Sequence, residues 1–231
     1  TQGVSLDIAA GARHALIGPN GAGKTTLVNL LTGFLAPSAG TVLLDGTDVT
    51  RTAQHERVRR GLARTFQINR LFAELTVLES VALAVCEERG LGARWWRPVG
   101  AHGEVVDRAA ELLEQLRLLD DAHRVTRDLA YGRQRLIEIA LALAARPRVL
   151  LLDEPAAGVP AGASRELFET IAALPREVTI VLIEHDMDLV FRFAERITVL
   201  VGGAVLTEDV PQAIAADARV REVYLGDARH G

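Results

Sequence analysis

Arg13-His14-Ala15-Leu16-Ile17-Gly18-Pro19-Asn20-Gly21-Ala22-Gly23-Lys24-Thr25-Thr26 is the stretch on which the rest of the reading turns. Residues 13–17 read as a strand, and 25–32 as a helix that begins near Gly23 and stops at Gly33. Between them Gly18–Thr25 fits the P-loop pattern, in the strand-then-helix context that its mechanism demands. Glycines let the backbone curl so that successive N–H groups converge on phosphate oxygens, and the helix N-terminus adds partial positive charge. Lys24 is then placed to reach the β- and γ-phosphates of a nucleotide and Thr25 to coordinate Mg²⁺, with Pro19, Asn20, Gly21, Ala22, Gly23 and Thr26 completing the cradle. A chance match somewhere in such a chain is on the order of one in a thousand. Of the 26 basic residues Lys24 is the one lysine, so the single ammonium lies where a compact point charge suits and a planar guanidinium fork does not.

Working outward, 231 residues with 49 % hydrophobic and 24 % charged residues exclude a disordered chain and suit one large domain or a core with an insertion. The net charge of −4 points to no nucleic acid partner. Cys86 is the single cysteine, which excludes a disulfide framework and suits a reducing compartment. No apolar run reaches the length of a membrane span, and the N-terminus lacks the pattern of a secretory signal. The chain opens at Thr1 inside an alternating pattern (Val4, Leu6, Ile8), read as a strand over 4–8, so the native start is expected upstream.

Strands alternate with helices, which argues for an α/β domain around a mostly parallel sheet. Short strands are expected at 41–44, before the turn Asp45-Gly46, and at 63–67. From Thr76, with Glu79 in a capping box, the chain reads as helical, with helices over 105–118 and 133–145 and a Gly-, Arg-, Trp- and Pro-rich loop at 90–103. This block, 70–143, reads as an insertion into a core made of 1–69 and 144–231. Apolar strands return at 149–152, 178–183 and 196–201, and 211–225 reads as one or two short amphipathic helices.

Two of those strands end in chemistry. Val149–Leu152 runs into Asp153-Glu154, at the sheet edge where ligands of open α/β sheets gather. Asp153 is placed to hold Mg²⁺ and Glu154 to take a proton from an attacking water. A solvated strand end is the ordinary meaning of Asp-Glu alone, but a P-loop on the same chain turns the balance. Ile180–Ile183 likewise delivers Glu184-His185, and His185 can bond a γ-phosphate or the water. His14, His55, His102, His123 and His230 lack this placement and read as surface histidines. The amide of Gln67 is long enough to reach a metal or water. Trp95 and Trp96 are expected to pack on the helical block, with direct contact to a partner as the alternative.

With Leu129-Ala130-Tyr131-Gly132-Arg133-Gln134 added, the order of motifs resembles that of the ATP-binding subunits of ABC transporters over essentially the whole chain. Within them it is most similar to the LivG-like ATPases of branched-chain amino acid importers. Ala63–Gln67, Glu154-Pro155-Ala156-Ala157-Gly158, Ile183–Met187 and Tyr224-Leu225-Gly226 carry that likeness. The resemblance implies a RecA-like P-loop NTPase core with an inserted helical subdomain and a small antiparallel β part. It implies ATP and Mg²⁺ as cofactors, Glu154 as general base, His185 as γ-phosphate sensor, and Thr25, Gln67 and Asp153 on the metal.

It further implies that residues 129–134 are a signature segment that caps the γ-phosphate of another ATPase subunit, the same chain or a related one. The helical block would dock on membrane permease subunits, which a solute-binding protein serves, at the cytoplasmic face of a bacterial inner membrane. Gly132, read as preceding the 133–145 helix, would help form the second anion site. Ala130 and Tyr131 replace the more usual Ser and Gly, Pro160 replaces the more usual Asp or Asn, and no aromatic residue precedes Phe34 to stack on adenine. The alternatives are the ATPase of another ABC system (urea, amide or lipopolysaccharide transport), a soluble P-loop kinase, or an ABC ATPase outside transport. A kinase would leave the signature segment and His185 unexplained.

Overall fold

The computed structural model describes residues 1–65, 73–91 and 103–227. Gln67, Trp95 and Trp96 fall outside them, as do His102 and His230. The centre is β1 (Arg13–Ile17), buried at all five positions because it has a strand on each side. It pairs in parallel with β6 (Thr179–Ile183) and with β7 (Arg196–Val201). Beyond β6 come β5 (Val149–Asp153) and β4 (Leu62–Arg64), both parallel, while β8 (Ala204–Asp209) closes the other edge antiparallel to β7. The order is β4-β5-β6-β1-β7-β8. A separate hairpin, β2 (Leu43–Leu44) and β3 (Thr47–Asp48), turns at Asp45-Gly46, where both residues have positive φ (48° and 72°). That is the twist two-residue hairpin turns prefer.

Alternation along the strands sorts the core into two faces. Ala15, Ile17, Leu150, Leu152, Ile180, Leu182, Ile197 and Val199 fill one. Leu16, Leu151, Val181, Ile183 and Leu200 fill the other with Ala22, Leu27 and Val28. The second face is covered by α1 (Lys24–Thr32), which ends at Gly33 in the left-handed conformation (φ 78°). Arg57 of α2 (Gln54–Arg59), itself buried, donates to the Leu30 and Leu31 carbonyls of that helix end. On the first face lie α3 (Val77–Glu88), α4 (Gly103–Gln115) and α5 (Tyr131–Ala144), packed on one another and sharing one apolar core with the sheet. The capping box forms as expected, Thr76 N donating to Glu79 Oε2 at 2.8 Å and Glu79 N to Thr76 Oγ1 at 3.2 Å. The chain finishes with α6 (Ala161–Ala172), α7 (Met187–Phe193), α8 (Pro211–Ala216) and α9 (Ala218–Asp227).

Four expectations need correction. Residues 4–8 join neither sheet: Val4 and Ile8 pack on the second apolar face, so alternation there reports a covered side without a backbone partner. The 105–118 helix stops at Gln115, because Arg117 takes a left-handed φ of 55° that lets Leu116 and Leu118 turn inward. The helix read at 133–145 begins two residues earlier, at Tyr131, so Gly132 lies inside its first turn instead of before it. His14 is not a surface residue. It stands on the central strand, 1 % exposed, with Nε2 at 2.7 Å from Thr198 Oγ1. His55 and His123 are exposed, as expected.

Thr198 donates its own proton to Glu208 Oε2 at 3.0 Å, so the hydroxyl oxygen is left to accept and His14 carries its proton on Nε2. Burial first of all pushes the His14 pKa below the usual histidine value, with Glu208 acting the other way and Arg196 adding to the depression. The unfolded chain therefore binds this proton more readily than the folded one. Stability is expected to fall as pH drops below about 6.5, the ordinary histidine value, and on through the depressed folded value. Thermal unfolding of the parent and of His14→Gln at pH 5.5 and 7.5 tests this: the parent's pH dependence should be the steeper, and equal slopes would clear His14.

Candidate active site

β1 delivers the P-loop to the carboxyl edge of the sheet. At Gly18 a Cβ would stand 2.2 Å from the Leu200 carbonyl oxygen of β7, so any side chain there would push the loop off the neighbouring strand. Gly23 caps α1 in a left-handed conformation (φ 96°) and offers no side-chain bond, which leaves the first amides of the helix turned to a ligand. Lys24 is 8 % exposed, and its Nζ folds back to donate to the carbonyls of Gly18 (2.6 Å) and Pro19 (3.0 Å). Burial lowers its pKa, while the charges of Glu154 and Asp153 raise it. These are the sequence-distant carboxylates that the strand-end argument brought to this edge. Thr25 and Thr26 are exposed on the first helical turn.

Asp153 ends β5 with an ion pair to Arg64 of β4, Nη2 to Oδ2 at 2.5 Å, and Arg64 Nη1 also donates to Asn29 Oδ1 on α1. Sequence reasoning gave Arg64 no part in the site. Glu154 follows in a left-handed conformation (φ 50°), with its N–H donated to the Ile183 carbonyl at 2.9 Å. A non-glycine residue held there costs on the order of 1–3 kcal/mol, and the bond to β6 holds it in place. The turn directs its half-exposed carboxylate to His185: Nε2 to Oε1 is 3.1 Å.

Glu184 was also missed. Its carboxylate, 3 % exposed, accepts the His185 N–H at 3.0 Å and the Ala156 N–H at 2.9 Å, tying the two strand ends together. The available signal was its position, straight after the apolar run Ile180–Ile183.

Residues 129–134, expected to be a signature segment, carry a separate set of contacts. Leu129 is buried, and Ala130 caps α5 without a side-chain bond. Arg133 is engaged within the chain, by Arg117 O at 2.5 Å and Glu166 at 3.4 Å, and Gln134 Nε2 donates to Leu129 O at 2.9 Å. Among the described residues no hydrogen bond joins 129–134 to Lys24, Glu154 or His185. Gln67 lies outside the described residues. No group of three or more His, Cys, Asp or Glu among them could enclose a metal. The oxygens at hand, Thr25 Oγ1 and Asp153, fit a hard ion held chiefly by phosphates.

A family profile described as "ABC transporter" matches residues 1–157. The high-affinity branched-chain amino acid transport ATP-binding protein LivG of Escherichia coli K12 is 42 % identical over 97 % of this chain and 91 % of its own length. The ADP conformation of a solved ATP-binding cassette from an ABC transporter superposes with a TM-score of 0.83 at 31 % identity, covering 96 % of this chain and 91 % of that one. A dimeric bacterial ABC transporter cassette gives 0.71 at 29 % identity, covering 90 % and 89 %. With more than half of the chain matched by that profile and a 42 % identical relative covered over nearly its whole length, the chain belongs to the ABC transporter family.

Proposed function

We propose that this chain is the ATP-hydrolysing subunit of an importer for branched-chain amino acids. In this reading 1–69 with 144–231 is the nucleotide-binding core, and 70–143 is the helical subdomain that docks on permease subunits. The complex lies at the cytoplasmic face of a bacterial inner membrane, and a solute-binding protein supplies it from the other side. Attachment in this reading is peripheral; among the described residues no helix is long and apolar enough to cross a membrane.

The observation that supports hydrolysis best is the 3.1 Å pairing of Glu154 and His185 at the sheet edge that also carries Lys24. Residues 18–26 wrap the phosphates, and Lys24 exchanges its two carbonyl partners for β- and γ-phosphate oxygens. Thr25, Asp153 and Gln67 would hold Mg²⁺. When bound, the ion offsets phosphate charge and orients the β- and γ-oxygens. Glu154 takes the proton of the attacking water, and His185 turns from Glu154 towards the γ-phosphate. Residues 129–134 complete the site of a second ATPase subunit, so two are needed.

Reconstitution with a branched-chain amino acid permease and its binding protein in liposomes loaded with ATP is the test. Leucine uptake that Glu154→Gln abolishes supports the reading. Hydrolysis without uptake of leucine, isoleucine or valine overturns the solute, and absence of hydrolysis overturns the enzyme.

A further inference from the structure

The start of α5 and the loop that follows Glu154 are fastened to each other within one chain. Arg135 lies between them. Its Nη2 donates to Tyr131 Oη at 2.6 Å and to the Ala157 carbonyl at 3.4 Å, and its Nη1 donates to Glu138 Oε2 at 2.8 Å. The guanidinium stands over the Tyr131 ring, 4.8 Å from its centroid. The other face of this contact is the loop backbone: a Cβ at Gly158 (φ 77°) would come within 3.1 Å of Tyr131 Cε1. Gly132 adjoins the same segment, where a Cβ would meet Val159 Cγ1 at 3.4 Å and Ala163 Cβ at 3.5 Å. From the opposite side Glu184 grips Ala156 and His185. A continuous path of bonds therefore runs from His185 through Glu184, Ala156 and Ala157 to Arg135 and Tyr131.

Stability alone gives no reason for this arrangement. The side chains of Arg135 and Glu138 are 6 % and 7 % exposed, and Arg135 Nε and Glu138 Oε1 are buried without a hydrogen-bond partner. Burial pushes the Glu138 carboxyl above its usual range, against the pull of Arg135. A buried pair with orphaned atoms costs desolvation that it does not fully recover, and an apolar pair of similar volume would stabilise the helix as well or better. What the pair supplies is a fixed position for the Tyr131 hydroxyl and the Ala157 carbonyl. Pro160, three residues on, brings no polar side chain that could do the same.

We propose that Arg135 is a positioning residue. It ties the signature segment that this chain lends to a partner's site to the Glu154 turn of its own site, so that the two shared sites of a dimer act together. This rests on the shared-site reading above. Closing the signature on a partner's phosphate moves the N-terminus of α5. Through Arg135 and Ala157 that movement reaches the loop which Glu184 couples to His185. Without the guanidinium each site keeps its own parts but loses news of the other.

The test uses the full chain, with its ATPase partner where one is needed, and compares Arg135→Met/Glu138→Leu with Tyr131→Phe and Arg135→Lys. The double substitution removes both charges together and leaves no orphan behind. Tyr131→Phe deletes only the hydroxyl, so it keeps the question answerable if the double variant folds poorly. Three quantities are read: ADP affinity of the chain alone, thermal unfolding, and the ATP dependence of hydrolysis. In the double variant kcat should fall by about tenfold to a hundredfold, the scale of losing a hydrogen bond from a charged donor. Its Hill coefficient should fall towards one, with ADP affinity and unfolding temperature unchanged. Tyr131→Phe should move the same way by less, and Arg135→Lys should restore part of the rate. Parental kcat and cooperativity in the double variant, or an ADP affinity that falls in step with stability, would overturn the proposal. A parental chain that hydrolyses ATP without cooperativity overturns it too, whereas one that does not hydrolyse ATP at all overturns the functional reading itself.

Discussion

Glu154→Gln is expected to lower ATP hydrolysis by about 10²–10⁴-fold, the usual worth of a positioned proton acceptor. Gln keeps the length of the side chain and can still bond His185, so the 3.1 Å contact and the left-handed turn have no reason to collapse. ATP binding should persist, because Lys24, Thr25 and the loop amides are untouched. ATP that cannot be cleaved should then hold two subunits together, the signature of one over the phosphate of the other. Loss of a negative charge at a crowded interface favours the same outcome. Adding Gly132→Asp should dissolve that dimer. The new Cβ meets Val159 and Ala163 at ordinary contact distance, and a carboxylate in the first turn of α5 suits its dipole, so the helix survives. The added charge, however, lies at the end of α5 that is expected to cap the partner's phosphate, and repels it. Size-exclusion chromatography with light scattering, with and without ATP, reads both effects. A Glu154→Gln protein that hydrolyses at the parental rate sinks the general-base role. Abolished hydrolysis without a dimer, even beside the cognate partner, sinks the shared site.

Lys24→Met separates the needs of the ligand from those of the fold. Nucleotide affinity should fall by roughly a hundredfold, since a desolvated charge-assisted bond to phosphate has no substitute in a thioether. The empty protein should be no less stable. Burial already works against the Lys24 charge, and the two carbonyls it serves lie in a loop where water can replace it. Unfolding temperatures measured with and without ATP should therefore agree in the variant and differ in the parent. An ATP-induced rise of parental size in Lys24→Met would remove the lysine from the phosphate site, and a fall in the stability of the empty protein would give it a structural role instead.

Much of this molecule is legible in its sequence. The P-loop, the capping box of Thr76 and Glu79, the hairpin turn at Asp45-Gly46, the buried parallel strands and the carboxylates at 153 and 154 all rest on spacing within a few residues. Local spacing is what sequence records directly. The same local rule misled at residues 4–8, where alternation reports a covered face and cannot say whether a backbone partner exists. It also placed the start of the signature helix two residues late, because Ala130 brings no capping side chain to mark it.

What the sequence determined by itself was the kind of element at each place and the chemistry at the strand ends. Strand order and long-range contacts were decided only in three dimensions. His14 is buried because β1 came to lie between β6 and β7, and no neighbour in sequence announces a central strand. Arg64 meets Asp153 across 89 residues, Ala156 meets Glu184 across 28, and Arg135 meets Ala157 across 22. Periodicity and capping are set by bonds three or four residues long, whereas these contacts exist only once sheet register has brought distant strand ends to a common edge.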